Sequence, residues 1–153
     1  MLKNIATIIL VAGATVFLVW VIAKQSPATE VSTTESAIVS KNGIHYHPKL
    51  DIYLKGQLQT IPVGVGIGAV HLPIHTHAAD NIIHLEFSGL VTLDNTRLGE
   101  FFKIWGKQFN SNCIFDNCNG PSGTVKMLVN GLPNNDFEKY PMKDNDKIEI
   151  RYE

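Results

Sequence analysis

The sequence predicts an α+β protein: an N-terminal transmembrane helix, then a mixed sheet of about four to five strands with one packed amphipathic helix. Three observations carry this. A run of nineteen uncharged, mostly apolar residues lies near the start of the chain. Several short stretches beyond residue 42 alternate apolar and polar residues with the period of two that a half-buried strand requires. A single stretch after Asp94 repeats large apolar residues at helical spacing.

The apolar run is Ile5 to Ala23 (IATIILVAGATVFLVWVIA), flanked by Lys3 and Lys24. A helix that crosses the hydrocarbon core needs about 20 such residues. A cleaved signal peptide ending at Val21-Ile22-Ala23 is the rival reading, but signal cores run to only about 7 to 15 residues, so an uncleaved anchor over residues 1–24 is favoured. Both readings put the rest of the chain outside the cytoplasm, giving a single-pass cell-membrane protein with an extracytoplasmic C-terminal domain. No cysteine follows the run, so a lipid anchor is not indicated there. Residues 25–41 (QSPATEVSTTESAIVSK) are rich in Ser, Thr and Glu with little to bury, the composition of a flexible linker. Residues 42–153 form the domain, long enough for a real core. A net charge of −1 and the lack of any basic cluster exclude nucleic acid as a partner.

Within the domain, Ile44 to Lys55 reads as one strand. Ile44, Tyr46, Pro48, Leu50, Ile52 and Leu54 share one side, and His45, His47, Lys49, Asp51, Tyr53 and Lys55 the other. Lys55-Gly56-Gln57 is a tight turn, and Leu58 to Val65 returns as the second strand of a hairpin. Gly64-Val65-Gly66-Ile67-Gly68-Ala69 nominally fits a dinucleotide fingerprint, but Val-His-Leu-Pro follows instead of a helix, so that reading is rejected. Its glycines let the backbone bend, or approach something closely, beside the histidines. In Ile82 to Ser88, Ile83, Leu85 and Phe87 face one way and His84, Glu86 and Ser88 the other. Asp94-Asn95-Thr96 supplies capping residues for a helix from Arg97, whose stripe Leu98, Phe101, Phe102, Trp105 and Phe109 covers a sheet as core. The polar loop Asn110 to Gly123 holds the only two cysteines, Cys113 and Cys118. Outside the cytoplasm a disulfide is the simplest state for them. The rival is a pair of thiolate ligands or a reactive thiol pair, and the spacing fits neither a Cys-x-x-Cys motif nor a two-pair zinc knuckle. Val125 to Val129 is a strand leading to an Asn130-Gly131 turn, and Ile148, Ile150 and Tyr152 mark a terminal strand with one apolar face.

Function is written in the histidines. All six lie between His45 and His84, in the segments His45-Tyr46-His47, His71, His75-Thr76-His77 and His84-Leu85-Glu86. Three times, two ligand-type residues stand two apart, and on an extended strand that spacing puts both on one face. If the two strands share a sheet, His45, His47, His84 and Glu86 project from the same surface. The segment from His71 to His77 contains Pro73 and forms the loop or edge that brings His75 and His77 alongside. The candidate metal ligands are therefore His45, His47, His75, His77, His84 and Glu86. His71, in an apolar stretch, is the least secure. Imidazole sets suit copper, zinc, nickel or iron. Copper binds tightest among the divalent ions, which makes copper the favoured ion and zinc the second. Five imidazoles exceed a tetrahedral shell, so some stand behind the ligands or two ions bind. No catalytic residues are assigned, since no Ser-His-Asp or paired-carboxylate signature stands out. The alternatives to metal handling are a metalloenzyme with an open His-rich centre, Glu86 serving as base or fourth ligand, and an accessory subunit of a membrane complex, held to a partner protein, whose metal staples the fold.

The order hairpin, strand, helix, strand, irregular stretch, terminal strand resembles a ubiquitin-like β-grasp domain. Over about the last sixty residues, Val129-Asn130-Gly131 and Met142-Lys143-Asp144-Asn145-Asp146-Lys147-Ile148-Glu149-Ile150 are similar to the end of small sulfur-carrier domains. The terminal Gly-Gly that those carriers activate is missing, so sulfur transfer is not implied. The domain as a whole resembles an uncharacterised group of short, membrane-anchored microbial proteins. The matching segments are Ile44-His45-Tyr46-His47-Pro48, Ile74-His75-Thr76-His77, Ile83-His84-Leu85-Glu86 and Leu98-Gly99-Glu100-Phe101-Phe102. That resemblance implies a histidine-rich extracytoplasmic domain and no particular activity.

Overall fold

The computed structural model describes residues 36–153. The anchor read at Ile5–Ala23 and residues 25–35 of the linker lie outside the described residues, among which no helix is long and apolar enough to cross a membrane. In chain order the strands are β1 (Ile38–Ser40), β2 (Ile44–Tyr46), β3 (Lys49–Leu54), β4 (Gln57–Gln59), β5 (Ile74–His75), β6 (His84–Phe87), β7 (Val91–Thr92), β8 (Cys113–Ile114), β9 (Asn117–Cys118), β10 (Val125–Val129), β11 (Leu132–Pro133) and β12 (Lys147–Tyr152). Helix α1 (Leu98–Trp105) lies between β7 and β8.

Two hairpins and one parallel pair build the larger sheet, a mixed five-stranded one. β3 turns through Lys55-Gly56 into β4, and β10 turns through Asn130-Gly131 into β11. All four turn residues have positive φ, 50° and 81° in the first turn and 53° and 82° in the second, the mirror-image geometry whose twist suits paired strands. β12 runs parallel to β3 and antiparallel to β10, so the order is β11-β10-β12-β3-β4. A second sheet has the order β2-β6-β5. The apolar faces of both sheets and of α1 meet in one core, with Leu50, Ile52, Ile148 and Ile150 from the larger sheet, Ile74 and Leu85 from the smaller, and Leu98, Phe101 and Phe102 from the helix.

The alternation read from Ile44 to Lys55 does not run through one strand. Pro48 has no N–H to donate and restricts the residue before it, so the ladder is interrupted and the chain passes from the small sheet to the large one. The His47 N–H donates instead to Asp144 Oδ1 at 2.8 Å. The return strand expected over Leu58 to Val65 ends at Gln59, because Pro62 lies within it and cannot join a ladder. The fold also begins before Asn42, since Ile38–Ser40, at the end of the stretch read as linker, pairs with β7.

Asp94-Asn95-Thr96 does not cap α1. Those residues form a 3-10 turn, Leu93–Thr96, in which Asn95 Oδ1 accepts the Thr92 N–H at 2.8 Å and Thr96 Oγ1 donates to the Leu93 carbonyl at 3.1 Å. The Asn95 and Thr96 side chains are committed backwards, the Asp94 carboxylate pairs with the Arg97 guanidinium, and Arg97 precedes the helix instead. The helix is also shorter than its apolar stripe: Gly106 turns left-handed at φ 70° and donates to the Lys103 and Phe102 carbonyls, closing the last turn. Phe109 is buried outside the helix and Trp105 is only half-buried. Cys113 and Cys118 stand opposite each other across β8 and β9 and are joined by a disulfide.

This ranking of burial has a measurable consequence. Phe101→Ala and Phe102→Ala should each cost about 3 to 5 kcal/mol in chemical denaturation, as buried aromatic truncations do. Trp105→Ala should cost clearly less, because part of its ring is already wet. Equal losses at Trp105 and Phe102 would contradict the packing described.

Candidate metal centre

The register of β6 with its two neighbours creates the site. Across β2 the opposed pairs are His45 with Glu86 and Tyr46 with Leu85; across β5 they are Ile74 with Leu85 and His75 with His84. Opposed residues on antiparallel strands project to the same side. Tyr46, Ile74 and Leu85 therefore turn to the core, and His45, His75, His84 and Glu86 turn away from it together. His47 and His77, each two residues further along, complete that face. The rings form a continuous chain, with centroid separations of 4.6 Å for His45–His47, 4.9 Å for His47–His84, 4.5 Å for His84–His77 and 4.5 Å for His77–His75.

Two groups of ligand atoms stand out. His75, His77, His84 and Glu86 each offer one atom within 4.8 Å of the others, and so do His45, His47 and His84. All six sequence-derived candidates fall in one group or the other, and His84 belongs to both. In the first group His75 Nε2 is 2.9 Å from His77 Nε2 and 3.8 Å from Glu86 Oε1, while His84 Nδ1 is 3.9 Å from that same oxygen. Tetrahedral bonds of roughly 2.0–2.1 Å imply ligand-to-ligand edges of about 3.3 Å, and these separations lie on either side of that value. Small side-chain adjustments would close such a shell.

Individual rings are oriented by their surroundings. The Leu72 carbonyl can only accept, so the His75 Nδ1 at 2.9 Å carries the proton and Nε2 keeps its lone pair toward the group. His75, in the stretch expected to be a loop or edge, is fully buried, and the chain from Gly64 to Gly66 packs against the segment that carries it. Gly64 N–H donates to the Thr76 carbonyl and Thr76 N–H to the Val65 carbonyl, both at 3.0 Å. Just beyond them Gly66, at φ +75°, sits so close that a Cβ there would overlap the Ile74 carbonyl oxygen and press on His75. His84 Nδ1 is buried and has no hydrogen-bond partner among the described residues. An orphaned buried nitrogen costs about 1–3 kcal/mol, so an arrangement that keeps one has a use for it. His45 Nε2 lies 3.1 Å from Glu86 Oε1, behind the first group. His71 is exposed and belongs to neither group, although its ring centroid is 4.1 Å from that of His75.

The surroundings of His75 and His84 favour the neutral form of both rings. Burial lowers the His75 pKa; its hydrogen bond to Leu72 opposes this, the charges of His71 and His77 add to it, and Glu86 opposes it. Burial likewise lowers the His84 pKa, reinforced by His77, His47 and His75 and opposed by Glu86. Neutral imidazole is the form with a lone pair to give.

Asp144 is the participant that sequence reading missed. Besides accepting the His47 N–H, its Oδ1 lies 3.7 Å from His47 Nδ1. The parallel pairing of Lys147 with Lys49 places the residues before β12 beside those before β3, so Asp144 meets His47 across 97 positions of chain. The disulfide removes both cysteines as thiolate ligands.

A folded pKa below the unfolded one means that the unfolded chain binds more protons in that interval, so stability rises with pH. The metal-free domain should be at full strength above about pH 6.5 and should weaken as pH falls from there toward the lowered values of His75 and His84. Denaturation midpoints followed in chelator between neutral and mildly acidic pH test this. A midpoint insensitive to pH in His75→Gln, but sensitive in wild type, would assign the effect to that ring.

No protein-family model, curated protein or solved structure matches the chain, which leaves the chemistry of the histidine face to bear on function.

Proposed function

We propose that this is a membrane-anchored, extracytoplasmic metal-binding protein that uses its histidine cluster to hold a transition metal ion, copper in preference to zinc, for metal handling or delivery. The observation that carries this reading is His84 Nδ1, buried and unpartnered, facing a carboxylate and two further imidazoles at ligand spacing. Imidazole is a borderline donor suited to copper and zinc, and copper leads the divalent affinity order. His75, His77, His84 and Glu86 suffice for a closed four-ligand shell, the form associated with holding an ion rather than with catalysis on it. The group His45, His47 and His84 alone would leave a position open, so ion-dependent oxidase or hydrolase activity would move the reading to a metalloenzyme.

The apolar run Ile5–Ala23 supports the anchor, and the Cys113–Cys118 disulfide supports an oxidising compartment. A β-grasp assignment is supported by the larger sheet: its first and last strands are parallel and central, its two hairpins flank them, and α1 lies between the hairpins in sequence. The four histidine-bearing and helical segments support a place in the membrane-anchored microbial group they resemble.

Metal analysis of the protein purified without an affinity histidine tag should find copper or zinc at one equivalent or more. Affinity should fall as pH drops through about 6.5, since a protonated imidazole cannot coordinate. His77→Ala and His84→Ala should each weaken the tightest site beyond the roughly 10–100-fold typical of losing a supporting residue, and His71→Ala should do less. Wild-type affinity in the His77 and His84 variants would refute the site.

A further inference from the structure

We infer that the histidine face is a two-ion centre in which His84 stands between the ions, giving one ring nitrogen to each; this rests on the metal-binding reading above. The two ligand groups share His84 and nothing else, so the remaining residues divide without conflict: His75, His77 and Glu86 to an inner ion, His45 and His47 to an outer one. An imidazole carries its two nitrogens at separate positions on the ring. The Nδ1 of His84 is buried on the Glu86 side, which leaves Nε2 for the other group. The His47 ring meets the His84 ring edge-on at 4.9 Å. His45 holds its Nε2 3.1 Å from Glu86 Oε1, a contact that ties the two groups together, and has its Nδ1 to give to the outer ion.

Charge is arranged to suit. Glu86 lies in the inner group, and the Asp144 carboxylate, 3.7 Å from His47 Nδ1, places a negative charge at the outer one. When His84 Nδ1 gives its lone pair to the inner ion, the ring proton resides on Nε2. Binding the outer ion breaks that N–H bond, forms an Nε2–metal bond and passes the proton to solvent. The inner group has four ligands, one of them the fully buried His75, against three in the outer group and none of those fully buried, so the outer ion is the weaker and the more readily exchanged.

Titration of the full-length, untagged protein with copper(II), and separately with zinc, decides the matter. Two equivalents should bind, the second more weakly and, at about pH 8, above the histidine range, with release of a proton. The doubly loaded copper form should lose the paramagnetic resonance of isolated copper(II) through coupling across the ring. His45→Gln with His47→Gln, both at accessible positions, should abolish the second equivalent and keep the first, with the circular dichroism spectrum unchanged. A wild-type stoichiometry of one would overturn the two-ion centre while sparing the metal-binding reading. A second equivalent that survives the double substitution, or two uncoupled copper ions, would overturn it as well. No binding in wild type would sink both.

Discussion

Everything at the histidine face depends on the register of β6 against β2 and β5. A slip of one residue on either side would exchange faces, burying His84 and Glu86 and exposing Leu85. What prevents the slip is the core: Leu85 and Ile74 are buried opposite each other, and Tyr46 packs beside them. The energy that aligns the ligands is therefore hydrophobic, obtained on the far side of the same three strands. No histidine has to hold the sheet together, which leaves the polar face free for groupings at metal-binding distance.

The larger sheet contributes from a distance. Its parallel β12–β3 pairing brings the loop carrying Asp144 to the point where Pro48 divides β2 from β3. That loop is braced by Asp146, which accepts from the Tyr140 hydroxyl at 2.7 Å, the Asn130 side chain at 3.0 Å and the Lys143 N–H at 2.9 Å. Burial and the adjacent carboxylate push the Tyr140 phenol far above its ordinary range, so its proton stays in that hydrogen bond. The acidic pair before the last strand thus splits its duties, Asp146 fixing the loop and Asp144 reaching the histidines.

Sequence parity groups His45 with His47 and His84 with Glu86, because a period of two is a property of the strand itself, and the pairing of β2 with β6 unites the two sets on one face. The Lys55-Gly56 and Asn130-Gly131 turns were equally legible, being local chemistry. Properties set by distant chain were not. His75 is buried where the chain from Gly64 to Gly66 packs against its segment, and the close approach of Gly66 had only its glycine spacing as a trace. Asp144 has no local signature, since it is the parallel pairing of β12 with β3 that carries the loop before the last strand to the start of β3. The helix end is not legible in the sequence because an apolar stripe records burial, and Phe109 is buried without being helical.

In the proposed centre, specific ring nitrogens of His75, His77 and His84 converge on an ion with Glu86. Long-range nitrogen–proton correlation spectra of the 15N-labelled protein, recorded before and after one equivalent of zinc, test it most directly. Zinc should move the Nδ1 resonance of His84 and the Nε2 resonance of His75 to coordinated positions, while His75 Nδ1 stays protonated against Leu72. Spectra in which the rings of His75, His77 and His84 are unmoved by zinc would contradict it.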